Sequence, residues 1–200
     1  MNLKKYKKKR DFKSTPEPQK PKKETRKYKN IFVLQKHKSS HLHYDFRIEI
    51  DGVLVSWALP KGPSTDPKKK HLAIRTEDHP LEYADFEGTI PEGQYGSGTV
   101  IIWDKGQYNN QAENKMAEAL KEGKIIIWLK GSKIQGGYNL IRIGKNQQEK
   151  EQWLFMKADD EKADARRNPT STEPKSIKSN KTIQQIREEH EHNTKKTKHK

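Results

Sequence analysis

Leu42-His43-Tyr44-Asp45-Phe46-Arg47-Ile48-Glu49-Ile50-Asp51-Gly52-Val53-Leu54-Val55-Ser56-Trp57-Ala58-Leu59 carries a β-hairpin signature. Apolar and polar residues alternate through Ile50, a β-branched and aromatic run begins at Val53, and Asp51-Gly52 is a preferred pair for a tight turn between strands. Alternate residues of a strand share a face, so Tyr44, Phe46 and Ile48 point one way and His43, Asp45 and Arg47 the other. The second set is two metal-type ligands followed by a phosphate-type clamp. His37, six residues before His43, is near enough to add a third ligand from the preceding turn or strand end. A solvated strand face usually holds Lys, Thr, Glu and Ser, so His37 and His43 with an aspartate and an arginine, all within eleven residues, mark a functional site.

Further strands are expected at Ile31–Gln35, His71–Asp78, Thr99–Trp103, Lys124–Lys130, Gly137–Ile143 and Gln152–Lys157. With the hairpin they make about eight short strands, which points to a mainly β, compact single-domain barrel or sandwich. One short helix is expected from Gln111 to Glu122, capped by Asn109 or Asn110 and ended by Gly123. The β domain runs over 31–157. Before it lies a basic leader, 1–30, with Pro16, Pro18 and Pro21, expected to be extended or ordered only on binding. After it comes a charged tail, 158–200, poor in apolar residues and expected to be disordered or weakly helical around Ile183 and Ile186.

Only 30% of the 200 residues are hydrophobic and 34% are charged, so a packed core along the whole chain is not expected. The absence of cysteine excludes disulfides, thiolate zinc sites and cysteine nucleophiles, and is compatible with a cytoplasmic, nucleoid-associated location. No apolar run approaches the roughly 18 residues of a membrane span. Of the net charge of +15, the leader carries +10, the β domain +2 and the tail +3. A near-neutral body with a basic arm suits a polyanion such as nucleic acid, the arm raising encounter rate and non-specific affinity.

The strand from His71 also has a polar face, with His71, Arg75, Glu77 and His79 on one side and Leu72, Ile74 and Thr76 on the other. In a closed sheet either face can be the interior, and a polar interior would be a wet, charged cavity. His37, His43 and Asp45 form a sulfur-free donor set suited to Mn²⁺, Zn²⁺ or Fe²⁺. Arg47 can hold a phosphate with its planar fork, Lys61 can add a point charge, and His79 can act as a general acid or charge stabiliser with Tyr83 as a hydroxyl donor. These parts describe metal-assisted phosphoester hydrolysis. Gly93-Gln94-Tyr95-Gly96-Ser97-Gly98 precedes a strand rather than a helix and reads as a turn. Trp57, Trp103, Trp128 and Trp153 read as core or rim, with Trp153 or Tyr108 the lesser candidates for stacking a base.

Several blocks in order resemble the 3′-phosphoesterase module of bacterial DNA ligase D and its free-standing bacterial and archaeal relatives. They are Arg10-Asp11-Phe12-Lys13-Ser14-Thr15-Pro16-Glu17-Pro18, Phe32-Val33-Leu34-Gln35-Lys36-His37, Leu42-His43-Tyr44-Asp45-Phe46-Arg47, Ser56-Trp57-Ala58-Leu59-Pro60-Lys61-Gly62-Pro63, Glu77-Asp78-His79-Pro80 and Phe86-Glu87-Gly88-Thr89-Ile90-Pro91. The resemblance covers about Arg10 to Lys157. It implies a β-barrel with a polar active-site interior and dependence on Mn²⁺, with Zn²⁺ or Co²⁺ as other candidate ions. It further implies removal of a 3′-terminal ribonucleoside and then of the remaining 3′-phosphate at DNA or RNA-tipped primer-template ends. By motif position, His37, His43 and Asp45 would hold the metal, and Arg47, His79 and Tyr83 would engage the phosphate. Gln35, Lys61 and Glu77 would support them, and Arg10, Asp11 and Glu17 would serve the ribonucleoside step, so part of the leader would fold over the substrate. Where relatives often have arginine this chain has His71, which implies a weaker or pH-dependent phosphate contact. The chain has no polymerase or ligase module, so a separate ligase or end-binding protein is the implied partner. Two other readings compete: a non-catalytic DNA-end adaptor built on the basic arm, and metal-free acid–base chemistry by His43, His79 and Tyr83.

Overall fold

A computed structural model describes residues 3–19 and 29–198. Pro21 of the expected extended leader lies outside those residues. The strands are β1 (Ile31–Lys38), β2 (Leu42–Ile50), β3 (Val53–Leu59), β4 (Lys70–Arg75), β5 (Gly88–Ile90), β6 (Gly98–Asn110), β7 (Lys124–Gly131), β8 (Gln135–Lys145) and β9 (Glu151–Lys157). The helices are α1 (Lys4–Lys8), α2 (Met116–Glu122), α3 (Pro169–Thr172) and α4 (Ile183–Lys198), with a 3-10 helix at Leu81–Asp85. The antiparallel order β1-β2-β3-β4-β9-β8-β7-β6 closes through pairing of β6 with β1. The mainly β, eight-stranded barrel is as expected, and the short β5 is an addition on the free edge of β6.

Asp51 and Gly52 both take positive φ, which a tight hairpin turn requires, and β2 and β3 pair in the register Phe46↔Trp57 and Asp45↔Ala58. α2 starts later than expected, at Met116, because β6 runs on to Asn110 to pair with β7, and Gly123 ends it in the left-handed conformation.

Of the two faces the sequence left open, the apolar one is inside. Phe46 meets Phe155 of β9 at 4.9 Å between ring centroids, and Tyr44 meets Trp103 of β6 at 5.2 Å; neither pair is on neighbouring strands, so both contacts cross the barrel. Buried side chains from all eight barrel strands fill this interior, Trp57, Trp103 and Trp153 among them. The polar active-site interior implied by the resemblance is therefore not the barrel lumen but a cleft on the outer wall. Dispersion contacts and removal of apolar surface from water favour this choice, since β2 and β3 turn Tyr44, Phe46, Ile48, Val55 and Trp57 the same way.

The outer wall of β1, β3 and β6 has its own apolar cluster, Ile31, Val33, Leu54, Val100 and Ile102. The 3-10 helix, β5 and the leader cover it with Leu81, Tyr83, Phe86, Ile90 and Tyr6. Tyr6 of α1 is fully buried, and its hydroxyl donates to the Pro18 carbonyl at 2.7 Å. Residues 3–19 are thus seated on the barrel. The packed chain also continues past Lys157: Thr65 Oγ1 donates to the Asp164 and Arg167 carbonyls, Trp103 Nε1 to the Glu173 carbonyl, and Ile177 N to the Ile102 carbonyl. That last bond fills the gap along β6 between its pairings with β5 and β7. Residues 164–177 form a strap held mostly by backbone groups, which leave no trace in side-chain periodicity.

A candidate metal and phosphate site

The site lies on the outer face of β1, β2 and β3. His37 stands directly across from His43, and Gln35 across from Asp45, so all four project from the same side. His37 Nδ1 lies 3.6 Å and His43 Nε2 3.9 Å from Asp45 Oδ2, and one donor atom from each residue fits within 4.8 Å of the others. Ligand bonds of about 2.1 Å place donors roughly 3 Å apart around one ion, so a small contraction would complete a three-ligand set. His43 Nδ1 is 3.1 Å from the His41 carbonyl, which makes Nδ1 the donor and leaves the Nε2 lone pair toward Asp45. His37 keeps a buried Nε2 with no hydrogen-bond partner. An imidazole whose Nδ1 faces a carboxylate and whose other nitrogen is buried without a partner fits a divalent ion.

Burial pushes the Asp45 carboxyl up, but the Arg47 guanidinium and the neighbouring histidines outweigh it and hold the group well below the usual carboxylate range. Asp45 is therefore a charged donor at any working pH.

Arg47, only 4% exposed, is fixed on three sides. Its Nε donates to Gln35 Oε1 at 2.8 Å, its NH2 lies 3.2 Å from Asp45 Oδ2, and its guanidinium covers the Tyr83 ring at 4.9 Å. Gln35 in turn donates from Nε2 to the Tyr83 and Phe86 carbonyls. One buried amide thus orients Arg47 and pins the turn bearing Tyr83. NH1 of Arg47 reaches His79, 3.3 Å from Nε2.

His79 is buried beside β3, where its backbone bridges to Leu54. Its Nδ1 lies 2.9 Å from the Glu77 carbonyl and so carries the proton, leaving Nε2 to accept from Arg10 NH2 at 3.2 Å. Burial, then Arg47 and Arg10, push this imidazole well below its ordinary value. His79 is neutral in the free protein and must gain a proton before it can donate one; a bound phosphate, by its charge, favours that. The unfolded chain therefore binds a proton near pH 6.5 that the folded protein refuses, so stability falls as pH drops through 6.5. Metal-free protein is expected to lose up to about 1.4 kcal/mol per pH unit between pH 6.5 and 5.5 on this account, read as a falling denaturation midpoint. In His79→Gln that slope is expected to flatten; an unchanged slope would assign it to other groups.

The leader closes one side. Arg10 Nε donates to Glu17 Oε1 at 2.8 Å, Arg10 NH1 lies 3.2 Å from Glu77 Oε1, and Lys9 Nζ lies 3.0 Å from Glu77 Oε2. The Tyr83 hydroxyl donates to the same Glu17 oxygen at 2.9 Å; burial and then Glu17 push that phenol well above its usual value, so it remains a donor. Burial pushes Glu77 up as well, yet Lys9 and Arg10 leave it lowered and charged.

Ten of the thirteen residues singled out from the sequence thus come together: His37, His43, Asp45, Arg47, His79, Tyr83, Gln35, Glu77, Arg10 and Glu17. Three do not. His71 lies on the inward-facing side of β4, opposite Phe155, with Nδ1 2.6 Å from the Gly62 carbonyl. β4 ends at Arg75, and the chain bends there; the bend carries Glu77 and His79 to the site while Thr76, from the face that seemed apolar, lines the cleft. Lys61 is exposed in the turn after β3, outside the cleft lining. Asp11 is exposed and braces its own turn, accepting from Lys13 N and Ser14 Oγ. Tyr108 and Trp153 are buried and outside the cleft lining, so neither can stack a base there. The sequence reading missed Tyr6, Lys9, Ser39, Thr76 and Tyr95. For Tyr6 the signal was one aromatic residue in a run of lysines, and for β1 the run Ile31-Phe32-Val33-Leu34, apolar on both faces, announced an outer cover.

The sequence model of the DNA ligase D 3′-phosphoesterase domain matches residues 35–142, more than half of the chain and nearly the whole site. The chain belongs to this family. It is similar to the multifunctional non-homologous end joining protein LigD of Pseudomonas aeruginosa, 44% identical over 185 residues, covering 90% of this chain and 22% of the relative. It is also 50% identical over 140 residues to the LigD repair protein of Mycobacterium tuberculosis, covering 70% of this chain and 18% of the relative. LigD of Mycolicibacterium smegmatis is 43% identical over 164 residues, covering 78% of this chain and 20% of that protein. The chain spans about a fifth of the length of these relatives. No helix among the described residues is long and apolar enough to cross a membrane.

Proposed function

We propose that this 3′-phosphoesterase family member heals DNA 3′ ends, removing a terminal ribonucleoside and the remaining 3′-phosphate to leave a 3′-hydroxyl for repair synthesis or ligation. One observation carries the reading: the His37–His43–Asp45 cluster and the Arg47–His79 pair line one cleft of about 160 Å³, linked by the Asp45–Arg47 contact. His37, His43 and Asp45 are the residues that would hold a divalent ion, Mn²⁺ in our reading, with Zn²⁺ and Co²⁺ as alternatives. Such an ion would supply Lewis-acid charge at a phosphoryl oxygen.

The chain's own residues supply the rest. Arg47, held by Gln35, offers NH1 to a phosphoryl oxygen without reorganising. Arg10 and His79 face the same space, and His79, protonated as phosphate binds, would stabilise charge on the leaving oxygen. Tyr83 and Glu17 hold Arg10 over the cleft. The partners of this reading are DNA or RNA-tipped 3′ ends at primer-template junctions, with a DNA ligase or end-binding protein acting on the healed end.

The test is a primer-template bearing either a 3′-phosphate or a 3′-monoribonucleotide, incubated with Mn²⁺, Zn²⁺, Co²⁺ or Mg²⁺. Conversion to a 3′-hydroxyl with Mn²⁺ and none in chelator is expected. Full conversion in chelator would instead favour metal-free chemistry by His43, His79 and Tyr83. Salt-sensitive binding with no product under any metal would leave the adaptor reading.

A further inference from the structure

Tyr95 is the one large exposed hydrophobic side chain, among the described residues, that also lines the cleft; Leu42, Ile143 and Ile177 lie elsewhere. It sits on the turn Gly93–Gly98, where Ser97 N donates to the Gln94 carbonyl and Gly93 and Gly96 take positive φ. Gly98 anchors the turn: a Cβ there would come within 2.2 Å of the Lys38 carbonyl, so only glycine lets it press against the β1–β2 connection beside His37 and His43. The ring is therefore held on a short, supported loop that lines the cleft, beside Lys9 and Arg10.

Arg10 measures the distance from chemistry to ring. Its NH2 is 3.2 Å from His79, and its guanidinium is 5.6 Å from the Tyr95 centroid. The Lys9 ammonium stands 4.3 Å over the ring, on a side chain 38% exposed to solvent. A flat, half-exposed aromatic face thus lies one side chain away from the phosphate-binding groups, covered by the Lys9 ammonium, which also donates to the Tyr95 hydroxyl and pairs with Glu77, each at 3.0 Å. A cleft of about 160 Å³ takes a phosphoryl group but not a whole nucleotide, so an attached nucleoside would extend toward solvent, and Tyr95 is the exposed aromatic residue of the lining.

We propose that Tyr95 is the stacking platform for the base of the 3′-terminal nucleoside, the base taking the place of the Lys9 ammonium. This rests on the 3′-end-healing reading above. Stacking on an aromatic face tolerates any base, which suits an enzyme that meets arbitrary ends. Tyr95 would position the leaving nucleoside and take no part in bond cleavage.

Steady-state release of a 3′-terminal ribonucleoside is the measure. Tyr95→Ala is expected to raise KM about tenfold with kcat within about twofold, and Tyr95→Leu to do the same, since it keeps bulk but no π face. Tyr95→Phe and Tyr95→Trp should stay within about twofold of the parent, which excludes the 3.0 Å contact of Lys9 Nζ with the Tyr95 hydroxyl as the cause. On a 3′-phosphate end, which has no leaving nucleoside beyond the scissile phosphate, the Tyr95→Ala penalty should shrink to about twofold or less; an equal penalty on both ends would overturn the assignment to the base of the leaving nucleoside. An independent arm uses 2-aminopurine as the terminal base. Its fluorescence should be quenched on binding the parent or Tyr95→Phe and not Tyr95→Ala, whether or not hydrolysis occurs. If the parent releases no nucleoside with any metal, the end-healing reading fails; if the parent is active and Tyr95→Ala matches it in KM and quenching, the stacking proposal alone fails.

Discussion

Asp45→Asn is expected to abolish the proposed metal-dependent 3′-end hydrolysis, lowering kcat on the order of a thousandfold or more. Asparagine keeps the shape of the side chain and removes its charge. The carboxylate is the only anion among the three clustered donors, lying 3.6 Å from His37, 3.9 Å from His43 and 3.2 Å from Arg47. Without it, two neutral imidazoles would face a divalent ion beside the positive guanidinium. Metal affinity measured by calorimetry is expected to fall by more than the ~10–100-fold typical of losing an outer partner of a ligand. The same change strands Arg47, leaving its buried fork with Gln35 and a neutral His79. A loss of about 1–3 kcal/mol in folding stability is expected as well, read from denaturant melts of metal-free protein. The variant should still fold, since the apolar interior of the barrel does not touch this face. Activity within tenfold of the parent would remove Asp45 from the metal set.

The second large effect concerns the strap. A chain ended after Lys162 is expected to lose on the order of 3–5 kcal/mol, a large share of the stability of a typical domain. Such a chain keeps the Lys157–Asp160 pair but loses the acceptors of Thr65, Trp103 and Lys133 and the donor to Ile102. Trp103 would retain a buried indole N–H with nothing to meet, and the β6 edge between its pairings with β5 and β7 would open to water. A chain ended after Thr182 keeps the strap and loses only α4, so its melting temperature should lie close to the parent's. Equal melting temperatures for all three lengths would show that residues 164–177 add nothing to the fold.

How legible this was depended on the range over which each feature is encoded. The Leu42–Leu59 hairpin has its alternation, turn and register within eighteen residues, and the Asp51-Gly52 turn admits few alternatives. That local code also put His43, Asp45 and Arg47 on one face. The same rule failed after Arg75, where the strand ends and periodicity no longer reports direction: His71 stays on the inward-facing side while Glu77 and His79 swing into the site. Tyr6 and the strap were illegible for another reason. Their burial comes from docking onto a surface formed by distant segments, and a lone aromatic or a backbone carbonyl carries no periodic signal.

Residue types and spacing alone, then, determined the strands, the hairpin, the donor set His37, His43 and Asp45, and a family resemblance that the match over residues 35–142 supports. Tertiary structure decided which face is inside and what covers the other. Closure of β1 on β6 turns Phe46 and Trp57 inward and leaves Asp45 and Arg47 outside, and the leader then meets Glu77 across 67 residues of chain. Burial is a property of the closed sheet and its cover, so no stretch of strand, read alone, states which of its two faces will be dry.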